Sequence, residues 1–424
     1  MPAGGCGKAP EVSLEPSEER VEPKAVPSRQ VTDDGLRPAD PGLRRQALFP
    51  GVTDAEWNDW RWHQRHAVRD AATLARLLPL TDDERAGLDE TAALFRLGIS
   101  PYYLTLVDPG HPLCPVRMQA VPRRAEARVA KGELRDPLGE DARRPVEAIV
   151  HKYPDRVVFL ATDACSIYCR HCTRRRLTRG GEIELSRAEL NRGLEYVRRH
   201  PGVRDVLISG GDPLLLSDER LEELLTPLRA IPHVEMLRIG TRVPVALPMR
   251  VTLALARLLR RFAPLFVVTH FNHPKEITLE ARRACELLVD HGVPVENQTV
   301  LMRRLNSDAR IIRELNHACL SMRVRPYYLH QMDVAEGCEH LRTPLSKGVE
   351  IIEELRGWTS GLAVPHFAVD LPGGGGKVTL QPNYVLEQDA KETALRSYRG
   401  GRYVYPEPPE TDSSCPYDEV WRRR

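Results

Sequence analysis

Three cysteines within eight positions, Cys165, Cys169 and Cys172, stand out in a chain of 424 residues that holds nine cysteines in all. Clustered thiols in a chain this long do not suggest a disulfide scaffold, and in a reducing compartment they suggest metal. Three thiolates can hold three irons of a 4Fe-4S cluster and leave the fourth iron free to bind a small molecule. A zinc site using His171 is the alternative, as is chance clustering. Far downstream, Gly373 to Gly376 run directly into Lys377. Such a run could be a flexible linker ending in a solvated cation. It could also let the chain pass close to a bulky cofactor, and a lysine delivered into a buried site can lose its proton through desolvation and condense with an aldehyde. That is the chemistry of pyridoxal phosphate.

These side chains need a scaffold that brings them together. From about residue 157, VVFLAT, DVLIS, MLRIG, LFVVTH, VENQTVLM and RVRPYYLH are each followed by an amphipathic helical pattern, and VPHFAVD adds one more strand. Ser186 with Glu189 has capping-box spacing, and Ser217-Asp218-Glu219 opens another helix. Repeated βα without a dinucleotide fingerprint predicts an α/β fold, a full or partial parallel (β/α) barrel with its chemistry at the C-terminal ends of the strands. The cysteines then lie in the loop after the first strand. The second strand ends in Ser209, Gly210, Gly211 and Asp212, where glycines would let backbone approach a ligand and a carboxylate could face an ammonium. An ordinary structural turn has the same composition. His270 and His273 are strand-end residues, read as site or packing groups rather than metal ligands.

The barrel is assigned to residues 151–380, after a helical region over 49–150 in which Thr53 with Glu56 and Thr81 with Glu84 have capping-box spacing. Trp57 and Trp60, three apart on one predicted helix face, are read as packing groups. Residues 1–48 have the composition of a disordered arm, and 381–424 form an irregular C-terminal extension.

The cysteine spacing resembles the signature of the radical S-adenosylmethionine (SAM) superfamily, in which the open iron binds SAM and an electron from the cluster cleaves it to methionine and a 5′-deoxyadenosyl radical. Taken with ISPYYLTLVDP, LISGGDPLLL, THFNHPKEIT, RVRPYYLHQMD and DLPGGGGK, it resembles the lysine 2,3-aminomutase family across about residues 45 to 405. The resemblance implies an isomerase that uses SAM, a 4Fe-4S cluster and pyridoxal phosphate to move an amino group between neighbouring carbons. By position it implies Ser209, Gly210, Gly211, Asp212 and Gln298 at SAM, and Lys377 as the pyridoxal phosphate anchor with Tyr153 and Arg156 nearby. It also implies Arg174 at the substrate carboxylate, and Asp333 with Asp370 at a side-chain cation. Arg175 and Arg176, one or both, are read as a surface basic run. In glutamate-using relatives the acidic pair is replaced, so L-lysine is the expected substrate. L-arginine is the runner-up, because a guanidinium also suits two carboxylates and His330 stands where the lysine enzymes carry a tyrosine.

The family's zinc site is not expected here. Cys415 remains, but Tyr417, Val420 and Asp308 occupy the other ligand positions, and one thiol with one carboxylate does not make a tetrahedral site. Lys plus Arg total 61 against 59 for Asp plus Glu, which gives no electrostatic reason to expect nucleic acid or an anionic membrane. No leader or membrane span is legible, so a cytoplasmic enzyme is expected, with a small amino acid as substrate, a flavodoxin or ferredoxin as electron donor, and homo-oligomerisation left open. The competing classes are an aminomutase that matures a protein-bound lysine and a noncatalytic iron-sulfur scaffold.

Overall fold

The computed structural model describes residues 40–178 and 185–409. One nine-stranded sheet runs in sequence order. Its strands are β1 (Ile149–Tyr153), β2 (Arg156–Thr162), β3 (Asp205–Gly210), β4 (Met236–Gly240), β5 (Leu265–Thr269), β6 (Val295–Leu301), β7 (Val324–Gln331), β8 (His366–Leu371) and β9 (Gly376–Leu380). β2 to β8 are parallel neighbours and correspond to the seven expected apolar runs. β1 and β9 flank them in antiparallel pairing and were not anticipated, because IVHKY and GKVTL carry no sustained apolar pattern. Among the described residues the pairing ends at β1 and β9, so the barrel is a partial one.

Among the described residues, six helices of eight or more residues connect the parallel strands: Arg187–Arg198, Asp218–Arg229, Leu253–Arg260, Leu279–Asp290, Ala309–Ser321 and Leu345–Leu355. Ser186 and Ser217 cap the first two, and Ser186 with Glu189 completes a reciprocal capping box. Leu221, Leu224, Leu225 and Leu228 lie fully on the inner face of the second helix, against Val206, Ile208, Leu237 and Ile239 of β3 and β4. Burial of each such side chain contributes about 1.5–3 kcal/mol, which makes the helix-to-strand layer the main source of cohesion. Strand residues alternate faces, so the other half of each strand points inward. Along β6, Val295, Asn297, Thr299 and Leu301 are buried beneath the helices, while Glu296, Gln298 and Val300 line a central cavity.

The region before the barrel consists of short helices. Thr53 and Thr81 form the expected capping boxes over Asp54–Asn58 and Asp82–Thr91. Trp57 and Trp60 are buried packing residues, but Asp59 breaks the chain into two helices between them, so they do not share one helix face. The arm read as disordered to residue 48 is shorter at its end. Pro41–Leu48 is a helix, capped by the Asp40 carboxylate on the Gly42 N–H, with proline at its first turn. Residues 1–39 of that arm lie outside the described residues.

The remaining described residues belong to a second compact unit that begins at Asn383. Its three-stranded antiparallel sheet comprises β10 (Val385–Gln388), β11 (Glu392–Arg396) and β12 (Arg402–Pro406), with β11 in the centre. Cys415, Tyr417 and Val420 lie outside the described residues. Asp308 caps the helix Ala309–Ser321, accepting the Arg310 N–H at 2.8 Å and pairing with its guanidinium at 2.7 Å. No helix among the described residues is long and apolar enough to cross a membrane.

Candidate active site

A cavity of about 950 Å³ occupies the inside of the partial barrel. All fourteen residues expected at the site line it: Cys165, Cys169, Cys172, Arg174, Ser209, Gly210, Gly211, Asp212, Gln298, Asp333, Asp370, Lys377, Tyr153 and Arg156. It extends from the C-terminal strand ends, where the cysteines lie, to Arg156 and Asp205 at the strand starts. The site therefore uses the length of the barrel as well as its mouth.

The cysteines occupy the loop after β2. Burial pushes the Cys165 thiol well up, reinforced by Asp212 and the neighbouring cysteines, and pushes Cys172 up to about 11. Buried thiols of this kind ionise only against a compensating cation, which iron supplies. His171 Nδ1, buried among them, has no hydrogen-bond partner. Among the described residues no three His, Cys, Asp or Glu side chains converge on a single ion. A cubane does not need that, because its three thiolates bind three different irons. The donor set thus fits a cluster.

Gly211 serves this loop directly. A Cβ on it would stand 2.3 Å from the Ala164 carbonyl oxygen, and its N–H donates to the Thr162 carbonyl at 2.5 Å. The close approach it permits is first of all between the end of β3 and the cysteine loop. Asp212 accepts from Thr241 Oγ1 at 2.6 Å and from the Arg242 N–H at 2.7 Å. Burial pushes its carboxyl up against the pull of these donors.

Arg174 has a partner that sequence reasoning missed. Its Nε and Nη2 form a fork on Glu140, with Nη2 to Oε1 at 2.8 Å, and its Nη1 donates to Ser209 Oγ at 3.1 Å. Burial opposes the Arg174 charge, but Glu140 outweighs it and raises its pKa. With Nη2 bonded to Glu140 and Nη1 to Ser209, one further N–H on each of Nη1 and Nη2 is left for another acceptor. Arg175 and Arg176 are not surface cations. Arg175 pairs with buried Glu126 at 2.9 Å, and Arg176 pairs with Glu140 at 3.2 Å and Asp136 at 3.1 Å. A run of arginines reads as solvated only until its distant carboxylate partners are known.

Elsewhere in the cavity, Lys377 lies on β9 directly across from Asp370 on β8. Its Nζ donates to Asp370 Oδ2 at 2.5 Å and lies 3.2 Å from His330 Nδ1. His330 Nε2 lies 3.3 Å from Gln298 Oε1. Burial, then Lys377, pushes the His330 pKa well down, so the ring is neutral. A hydrogen on Nε2 directed at Gln298 leaves Nδ1 to accept from Lys377. Asp333 is pushed up to about 6 by burial and by Asp370. The Lys377 N–H donates to Tyr153 Oη at 2.9 Å, and the Arg156 guanidinium stacks 4.0 Å from the Tyr153 ring centre.

The glycine run is not a linker. It makes the turn between β8 and β9, with Gly373, Gly374 and Gly376 at positive φ. A Cβ on Gly374 would meet the Leu138 carbonyl oxygen and Arg143 Nε at 3.2 Å. The turn thus packs on the loop that presents Glu140. His270 lines the cavity and bonds the Gln298 carbonyl at 2.9 Å, whereas His273 accepts the Lys275 N–H at 3.1 Å as a turn cap. Burial pushes them to about 4 and about 3, so both are neutral.

Comparison with known proteins bears on this geometry. A family model described as Lysine-2,3-aminomutase matches residues 352–421, and one described as the Radical SAM superfamily matches residues 159–315. The L-lysine 2,3-aminomutase of Clostridium subterminale is 49% identical over 375 residues, covering 88% of this chain and 90% of that one. That of Bacillus subtilis is 48% identical over 361 residues, covering 85% and 77%. A glutamate 2,3-aminomutase of Clostridioides difficile is 39% identical over 378 residues, covering 88% and 89%. Among solved structures, a radical SAM methyltransferase from Sphaerobacter thermophilus has a TM-score of 0.39 at 14% identity, covering 52% of this chain and 67% of that one, too low a likeness to add to this. With identities this high over most of both chains, the chain belongs to the lysine 2,3-aminomutase family, radical SAM isomerases whose cofactors are a 4Fe-4S cluster, SAM and pyridoxal phosphate.

Proposed function

We propose that the protein moves the α-amino group of L-lysine to the β-carbon, giving L-β-lysine, in a reaction dependent on pyridoxal phosphate. One observation carries the substrate reading: a fixed cation, Arg174, and two carboxylates, Asp333 and Asp370, line the same cavity. Burial and mutual repulsion raise the Asp333 pKa to about 6, so the pair favours a cationic guest over an anionic one. Cys165, Cys169 and Cys172 hold the cluster. Ser209, Gly210, Gly211, Asp212 and Gln298 border SAM, and Tyr153 with Arg156 supports the pyridoxal phosphate end of the cavity. When bound, the cluster and SAM supply a hydrogen-abstracting radical, and pyridoxal phosphate supplies the aldehyde and conjugated ring that carry the migrating nitrogen.

The chain's own residues orient and protonate. Arg174, held by Glu140 and Ser209, offers its remaining N–H groups to the substrate carboxylate. Lys377 must shed a proton to react with the aldehyde, and Asp370 Oδ2 and His330 Nδ1 are the acceptors within reach.

A second reading, L-arginine as substrate, is favoured by one feature. His330 stands 3.9 Å from Asp370 with a neutral ring, so this end of the cavity carries acceptors on more than one side, as a forked guanidinium requires. Incubation with SAM, pyridoxal phosphate, a reductant and each amino acid, followed by mass spectrometry of the β-amino products, tests both. Lysine turnover is expected. Arginine turnover with none of lysine selects the second reading, and turnover of glutamate alone overturns the role of both aspartates.

A further inference from the structure

Arg242, which follows β4, has no part in the reaction as derived above, yet it reaches the cysteine loop. Its guanidinium is buried, and Nη1 donates to Cys169 Sγ at 2.7 Å. On its other side Nη2 contacts Glu276 Oε1 at 2.7 Å, Tyr103 Oη at 3.1 Å and Gln119 Oε1. Glu276 is itself fully buried and accepts from Tyr103 Oη at 2.7 Å and from the Asn272 N–H at 2.7 Å. The Arg242 main chain is fixed as well, through the bond from its N–H to Asp212. The guanidinium is therefore clamped at both ends and cannot swing away from the sulfur.

A buried arginine is costly unless its charge is paired. Here Glu276 pairs with Nη2 while Nη1 donates to the Cys169 sulfur, so the guanidinium bridges a buried carboxylate and a sulfur assigned to the cluster. We propose that Arg242 is a positioning residue for the iron-sulfur cluster, holding the Cys169 thiolate and raising the cluster's reduction potential, with Glu276 setting how much of the arginine's charge the cluster feels. A hydrogen bond to a ligating sulfur withdraws electron density and favours the reduced state, and a nearby positive charge acts in the same direction. This rests on the assignment of Cys169 to the cluster. Iron and sulfide content of anaerobically reconstituted Cys169→Ala protein against wild type tests that assignment separately.

The test of the proposal is a redox titration of the reconstituted protein followed by electron paramagnetic resonance. Arg242→Gln with a full iron complement should show a midpoint more negative than wild type. Glu276→Gln keeps the donor and removes the compensating carboxylate, so its midpoint should move the opposite way, to more positive potential. Opposite shifts are the result expected, and an unchanged midpoint in an iron-replete Arg242→Gln protein overturns the proposal. Should Arg242→Gln fail to fold or load iron, the Glu276→Gln protein decides alone: a positive shift supports the tuning role, and no shift or a negative one overturns it.

Discussion

At the scale of single residues, the site is a set of charges whose partners lie far apart in the chain. Arg174 was singled out by its match to the family, but Glu140 was not, because an acidic residue in PLGEDARR gives no sign of what it will meet. The same limit turned Arg175 and Arg176 into apparent surface residues. Asp333 yields a prediction. Its pKa in the folded protein, about 6, lies above the ordinary 3.8, so the folded state binds this proton more tightly than the unfolded chain does. Its contribution to stability is fully present below the lower value and is lost as pH rises through the upper one. Asp333→Asn should therefore show a smaller loss of stability between about pH 4 and about pH 7 than wild type does, measured by urea denaturation of the cofactor-free protein. Equal losses in the two proteins would mean that Asp333 ionises as freely in the fold as out of it.

At the scale of elements, the seven parallel strands were legible because strands covered by helices read as apolar runs, and capping boxes marked the helix starts. The flanking β1 and β9 were not, being short and mixed in character, and with them went the true role of the glycine run. That run is a hairpin turn that sets Lys377 opposite Asp370 and packs against the loop carrying Glu140. Gly374→Ala should be destabilising by about 1–2 kcal/mol from its positive φ alone. It should also displace Lys377, seen as a lower yield of the borohydride-trapped pyridoxyl lysine in peptide mapping. A destabilised protein with full trapping at Lys377 would separate the turn from the placement of the lysine.

At the scale of the whole molecule, about 950 Å³ lies at the upper end of the roughly 300–1,000 Å³ typical of a pocket for one small ligand, in keeping with a site that must take several at once. Its extent along the barrel was not foreseen, because the expectation confined chemistry to one end of the strands. Within it, the contact between Lys377 and Asp370 has a consequence for recognition. On the proposed substrate the side chain of Lys377 is that of the guest, so the protein would carry a tethered copy of the guest's cation against one of the two carboxylates proposed to receive it. An incoming lysine has to compete with this internal stand-in, at the high effective concentration of a group held in the same fold. Covalent engagement of Lys377 elsewhere would end the competition and make the cofactor a precondition for substrate capture. Calorimetry on protein stripped of pyridoxal phosphate should find weak lysine binding in the wild type and about tenfold or tighter binding in Lys377→Ala, a gain of about 1.4 kcal/mol from removing the competitor. Equal affinities would mean that the tethered ammonium yields its place at no cost.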